Sequence, residues 1–218
     1  MPAFLHGTTL VMKLGGVFLG LGLVGLAHAW PTSCCVIPIA DILKHREVYG
    51  YFSFTGNERN IDRQTYYFNS LNVGLFDRIE LGYDNDFLGA TVYHAKLLLC
   101  EGTKTDYGVS VGYMNWSPAD HYGEAYIVGR YGLPNGLRFH AGALQNDRWR
   151  VMAGVDYGIG NWTLAADWMS GPNNTLWTGA TYDIACVPGL SVSGFVGFPS
   201  VKSDGIQHQF SVNFAFRF

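Results

Sequence analysis

The stretch from His208 to Phe218 constrains the fold most. Phe210, Val212, Phe214, Phe216 and Phe218 alternate with Gln209, Ser211, Asn213, Ala215 and Arg217. A β-strand points successive side chains to opposite faces, so one face here is aromatic and apolar and the other polar or small. The same pattern recurs from Val48 onward in short runs. Period-two segments of about ten residues, broken by turn residues, read as the strands of a closed barrel. Twelve runs are predicted, at roughly 47–55, 65–76, 78–85, 90–100, 106–115, 122–131, 136–144, 149–158, 161–170, 174–184, 189–197 and 207–218. The breaks include Asp77-Arg78, Gly102-Thr103, Pro134-Asn135-Gly136, Gly158-Ile159-Gly160-Asn161, Gly171-Pro172-Asn173-Asn174 and Pro188-Gly189.

The other end of the chain reads as a targeting signal over residues 1–29. Lys13 supplies a positive charge, Leu14 to Leu26 an apolar run, and Ala27-His28-Ala29 a small-x-small cleavage site. The run is shorter than the roughly 20 apolar residues of a membrane span. The mature chain would begin at Trp30, and the start codon is open between Met1 and Met12. Gly and aromatic residues are abundant and charges sparse, yet no second stretch suits a transmembrane helix. Only helices and closed barrels satisfy every backbone group in lipid, so a membrane location means a barrel. The alternative, a soluble lipocalin-like barrel, would want a filled apolar interior and a polar exterior. A formal net charge of −3 argues against a nucleic-acid partner.

The aromatic final strand resembles that of bacterial outer-membrane β-barrels. That resemblance implies export by a Sec-type route, residence in the outer membrane of a Gram-negative cell, contact with its lipid, and reading of Phe214, Phe216 and Phe218 by the barrel-assembly machinery. Residues 30–46 differ in character and read as a periplasmic lead-in or small plug before a barrel over 47–218, with Asp41 placed to cap a single helical turn. Pro38-Ile39-Ala40-Asp41-Ile42-Leu43, Val48-Tyr49-Gly50-Tyr51 and Asn72 to Gly82 resemble the opening of YjbH-like barrels. That family is associated with exopolysaccharide secretion, and the chain departs from its pattern at Ile39, where Thr is expected.

If the apolar positions face lipid, their neighbours line the lumen. Glu80, Asp84, His94, Lys96, Glu124, Arg130, Arg138, His140, Arg150, Asp156, Asp167 and Arg217 fall on that inner face. Charges inside a barrel need partners or water. Topology places Arg138 opposite Asp156 near the end that carries the termini, and Arg150 level with Asp167 near the other. Twelve strands leave more room than the eight-stranded barrels that side chains fill.

No nucleophile motif, zinc-protease motif or nucleotide loop is present. Ser117, Asp120 and His121, and likewise Asp84 with Asp86, read as loop residues rather than as a catalytic centre. No cofactor or metal is expected. Four cysteines follow the cleavage site, and an oxidising compartment allows disulfides. The expected pairing joins Cys34 and Cys35 each to one of Cys100 and Cys186. The function expected is a passive channel for small polar solutes. The alternatives are a non-conducting structural or polysaccharide-export barrel and, third, a lipid- or peptide-modifying enzyme.

Overall fold

The computed structural model describes residues 33–57, 66–85, 91–102, 105–118, 123–145, 147–171, 174–201 and 205–218. The targeting signal therefore lies outside the described residues, as do Asp86, Asp120 and His121. Twelve antiparallel strands form one closed barrel. They are β1 (Glu47–Asn57), β2 (Tyr66–Leu75), β3 (Ile79–Asn85), β4 (Thr91–Glu101), β5 (Tyr107–Trp116), β6 (Glu124–Gly132), β7 (Leu137–Gln145), β8 (Trp149–Ile159), β9 (Trp162–Met169), β10 (Thr175–Asp183), β11 (Leu190–Pro199) and β12 (Gln207–Arg217). Each pairs with its sequence neighbours, and β1 closes against β12 from Glu47↔Arg217 to Asn57↔Gln207. The alternation in the sequence marks every strand to within a few residues, because each turn interrupts it.

The wall sorts its side chains as period two requires. Leu97, Val151, Leu164, Leu176, Phe210 and Phe214 are exposed on the outer surface. A polar-coated soluble barrel is thereby excluded: this exterior needs lipid. Aromatic rings gather towards both rims. Tyr67, Tyr93, Trp116 and Trp149 lie at the far end, while Tyr107, Tyr131, Trp162 and Phe216 lie at the end that bears β1's start, called here the near end. Such paired girdles suit the two interfaces of a bilayer. Inward positions bury Ser53, Ser70, Asn72, Glu80, Lys96, Ser110, Arg130, His140, Asp156 and Asp167.

Residues 33–45 enter the barrel. Ile37, Ile39, Ala40 and Leu43 are fully buried, and Cys34 and Cys35 nearly so. All of these but Leu43 form the apolar core with Tyr126, Val128, Leu144, Met152, Ala165, Trp177 and Phe195 of the wall. A bridge between Ser33 and Pro38 and a hydrogen bond from Cys34 N to Ile37 O (2.9 Å) fold the tip into a tight loop. No helical turn forms at Asp41, contrary to the capping role expected of it. Its carboxylate is taken by arginines of the wall instead.

The segment leaves the barrel through a built turn. Glu47 N donates to Lys44 O (2.9 Å), and Arg46 has φ 65°. His45 then clamps the β2–β3 hairpin. Its N–H donates to Asp77 Oδ1 (2.8 Å), its Nδ1 accepts from Phe76 N (3.2 Å), and its ring stacks on Phe76 at 5.6 Å. Phe76 and Asp77 both have φ of 56°, the pattern of a tight type I′ hairpin in which glycine is common. The His45 contacts hold these two non-glycine residues in the left-handed region.

Candidate functional site

The site is the lumen, and the chain itself occupies much of it. Residues 34–43 make polar contacts with seven successive strands, β3 to β9. Leu43 N donates to Glu80 Oε2 on β3 (3.2 Å), while Lys96 Nζ on β4 donates to Ile39 O (3.2 Å). Ser110 Oγ on β5 donates to Ala40 O (2.8 Å). Asp41 pairs with Arg130 on β6 and with Arg138 on β7 (3.2 Å). Cys34 Sγ lies 3.5 Å from Val155 O on β8, and Cys35, Val36 and Ile37 all donate backbone N–H groups to Asp167 Oδ2 on β9 (2.6, 2.7 and 3.0 Å). Three successive N–H groups converging on one oxygen form a nest for an anion.

The near-end charges form one connected network. Arg138 and Asp156 are register partners, with Nε 2.8 Å from Oδ1. His140 Nε2 lies 2.6 Å from the other oxygen of Asp156. Arg130 also reaches Asp106 (2.8 Å) and Glu101 (3.4 Å), and Lys44 approaches Glu101 (3.7 Å). Lys96 and Glu80, 3.7 Å apart, form a separate buried pair. Towards the far end His94 faces Asp84 (3.8 Å), and Asn115 Nδ2 donates to Glu124 Oε2 (2.7 Å). Arg217 sits exposed at the near rim and donates to His45 O (3.0 Å).

The opposite wall is chemically different. From β10 through β12 to β2 the buried inward side chains are the uncharged Thr181, Ser193, Ser211, Asn213, Ser53, Ser70 and Asn72 and the aromatic Trp177, Phe195 and Tyr49, with Glu47 a buried carboxylate at the near end of β1. Thr181 and Ser193 hydroxyls lie 2.7 Å apart, and Asn213 donates to Ser193 (2.9 Å). A cavity of about 50 Å³ separates this wall from the tip of the segment, with Tyr49, Tyr51, Phe195 and Gln209 also lining it. A larger cavity, about 170 Å³, lies between Val36, Ile37, Asp167, Arg150, Ser170 and Trp177.

No family model matches the chain, and no curated protein matches it. Solved structures do. The KdgM porin superposes with a TM-score of 0.59 at 10% identity, covering 78% of this chain and 99% of the porin. The KdgM porin in complex with disordered oligogalacturonate gives 0.57 at 11% identity, covering 79% and 99%. A mutant Rh. blastica porin gives 0.43 at 16% identity, covering 69% of this chain and 55% of that one. The fold is porin-like.

Against that fold, two expectations need correction. Arg150 and Asp167 do not pair. The three N–H groups of the segment satisfy one oxygen of Asp167, leaving Oδ1 and Arg150 Nε each buried without a hydrogen-bond partner. The disulfides do not form either: all four cysteines are free. Cys34 and Cys35 climb to the level of Asp167. Cys100 is the register partner of Val109 on the outer face, and Cys186 is exposed in the near-end β10–β11 turn. The wall stands between the two sets. Burial and the hydrogen bond from Cys34 push the Cys35 thiol well above its ordinary range, the hydrogen bond being the larger cause. Ser110, Glu101 and Asp106 escape a sequence reading altogether, and Asp41 takes a role other than the expected cap. Ser110 and Glu101 meet a segment outside the period-two pattern, and Asp106 pairs with the arginine that Asp41 holds. The one signal for Asp41 was an acid in an otherwise apolar stretch facing a wall rich in arginine.

Proposed function

We propose that the protein is an outer-membrane channel for small polar solutes, occluded by its own residues 33–45. The observation that carries this reading is the division of the inner wall. Asp41, Glu80, Lys96, Arg130, Arg138 and Asp167 are engaged in or around the segment, whereas the wall from β10 to β2 presents hydroxyls, amides and aromatic rings to the smaller cavity, Arg150 and Asp167 lining the larger one. A passage along the smaller cavity, free of charged lining, suits neutral or weakly charged solutes. Barrel fold, apolar exterior and aromatic girdles support placement in a lipid bilayer, and the likeness to porins supports a channel.

Planar-bilayer recording tests it. The full chain is expected to give small or rare conductance steps, and deletion of residues 33–43 to give larger, discrete ones. Silence from both proteins, with both folded, overturns the channel. The non-conducting reading has its own support: Ile37 and Ile39 with Tyr126, Val128, Leu144 and Met152 fill the middle of the lumen.

A further inference from the structure

Cys34, Cys35 and Asp167 are all buried, and their ligand atoms lie within 4.8 Å of one another. The tight loop from Ser33 to Pro38 creates this meeting. It points three consecutive N–H groups at Asp167 Oδ2, which fixes the carboxylate and carries both thiols to it. Asp167 is 2% exposed, and its second oxygen, Oδ1, has no hydrogen-bond partner. A buried carboxylate oxygen without a donor is costly, and a cation satisfies it.

We propose that Cys34, Cys35 and Asp167 bind one soft divalent cation of the Zn²⁺ class. Two thiolates with one carboxylate form a ligand set that favours such ions over Mg²⁺ or Ca²⁺. As the two sulfur–metal bonds form, the two thiol protons pass to solvent. The fourth position of a tetrahedral ion falls to water. Tetrahedral bonds of about 2.3 Å put ligand atoms about 3.8 Å apart, so modest side-chain rotation closes the present spacing. Charge also balances: two thiolates, one carboxylate and a divalent ion sum to −1, and Arg150 lines the same cavity as Asp167. Cavities on either side, one bounded by Cys34 and Cys35 and one by Asp167, supply a route for the ion. The bound ion staples the segment to β9. The site does not depend on whether the lumen conducts.

The test uses the full-length folded barrel, reduced, with Cys100→Ser and Cys186→Ser so that only the buried thiols remain. Titration with Cd²⁺ alone is expected to raise the ultraviolet sulfur-to-cadmium charge-transfer band, saturating at one ion per chain. Zn²⁺ is expected to compete it away and to protect both thiols from alkylation. Cys34→Ser and Cys35→Ser, each checked for folding by heat-modifiable gel migration, are expected to abolish the band. Asp167→Asn is expected to weaken Cd²⁺ at least tenfold. The site is overturned if the parent protein shows no band. Equal binding by a folded double serine variant overturns it too.

Discussion

At the scale of single residues, the lumen is governed by one carboxylate that a linear reading undervalues. Asp41 bridges Arg130 and Arg138, and Arg138 in turn holds Asp156. Removing one member of a buried ion pair costs about 3–5 kcal/mol, because the charge left behind stays desolvated. Asp41 keeps some solvent contact, so Asp41→Asn is expected to weaken docking of the segment by about 3 kcal/mol, the low end of that range. Alkylation of Cys34 through local opening should then accelerate by about a hundredfold. An unchanged rate would mean that the apolar contacts of Ile37, Ile39 and Leu43 hold the segment without help from its charge.

At the scale of elements, the exit turn and the β2–β3 hairpin act as one clamp. Gly74 is glycine for a steric reason: a Cβ there would lie 2.2 Å from Lys44 O and 2.4 Å from Leu43 O, and backbone cannot give way cheaply. Gly74→Ala is expected to leave the barrel closed but to shift the segment at Leu43–Lys44, seen as faster proteolysis within residues 33–45. Asp77 offers a pH handle on the same clamp. The His45 N–H, assisted by nearby Lys44 and Arg217, holds its carboxyl below the usual range. A depressed folded pKa contributes stability above the ordinary value near 3.9 and loses it as pH falls through the folded one. Protection of the His45 amide, taken relative to its intrinsic exchange rate, should therefore fall on acidification through that window, and Asp77→Asn should remove the dependence. Strand positions were readable because each residue's face follows from parity alone. The clamp was not, since positive φ at Phe76 and Asp77 depends on a histidine thirty-one residues away in sequence.

At the scale of the whole molecule, the meaning of the inner charges changes with the segment in place. Parity put Arg138 and Asp156 inside and opposite one another, and the register shows them so. Parity could not show that Asp41 would join them, nor that Asp167 would turn from Arg150 to three backbone amides. Arg138→Glu therefore has a different expected outcome from a simple reversal of field in an open pore. It places like charges beside Asp41 and Asp156, which should expel the segment. Bilayer recordings should show larger or more frequent steps, together with any shift towards cations. A shift in ion preference at unchanged conductance would mean that the segment stays put.

The chain that fills the barrel precedes every strand that encloses it. Sealing the wall brings Glu47 to Arg217, across nearly the whole length of the strand sequence. Closing so long a loop is entropically costly and slow. Residues 34–43 offer polar partners to β3 through β9 before that seam exists, so the segment can serve as a mandrel on which a half-formed sheet curls. Refolding into lipid vesicles would reveal it: without residues 33–43 the compact gel form should appear more slowly, even where the finished barrel is equally resistant to heat.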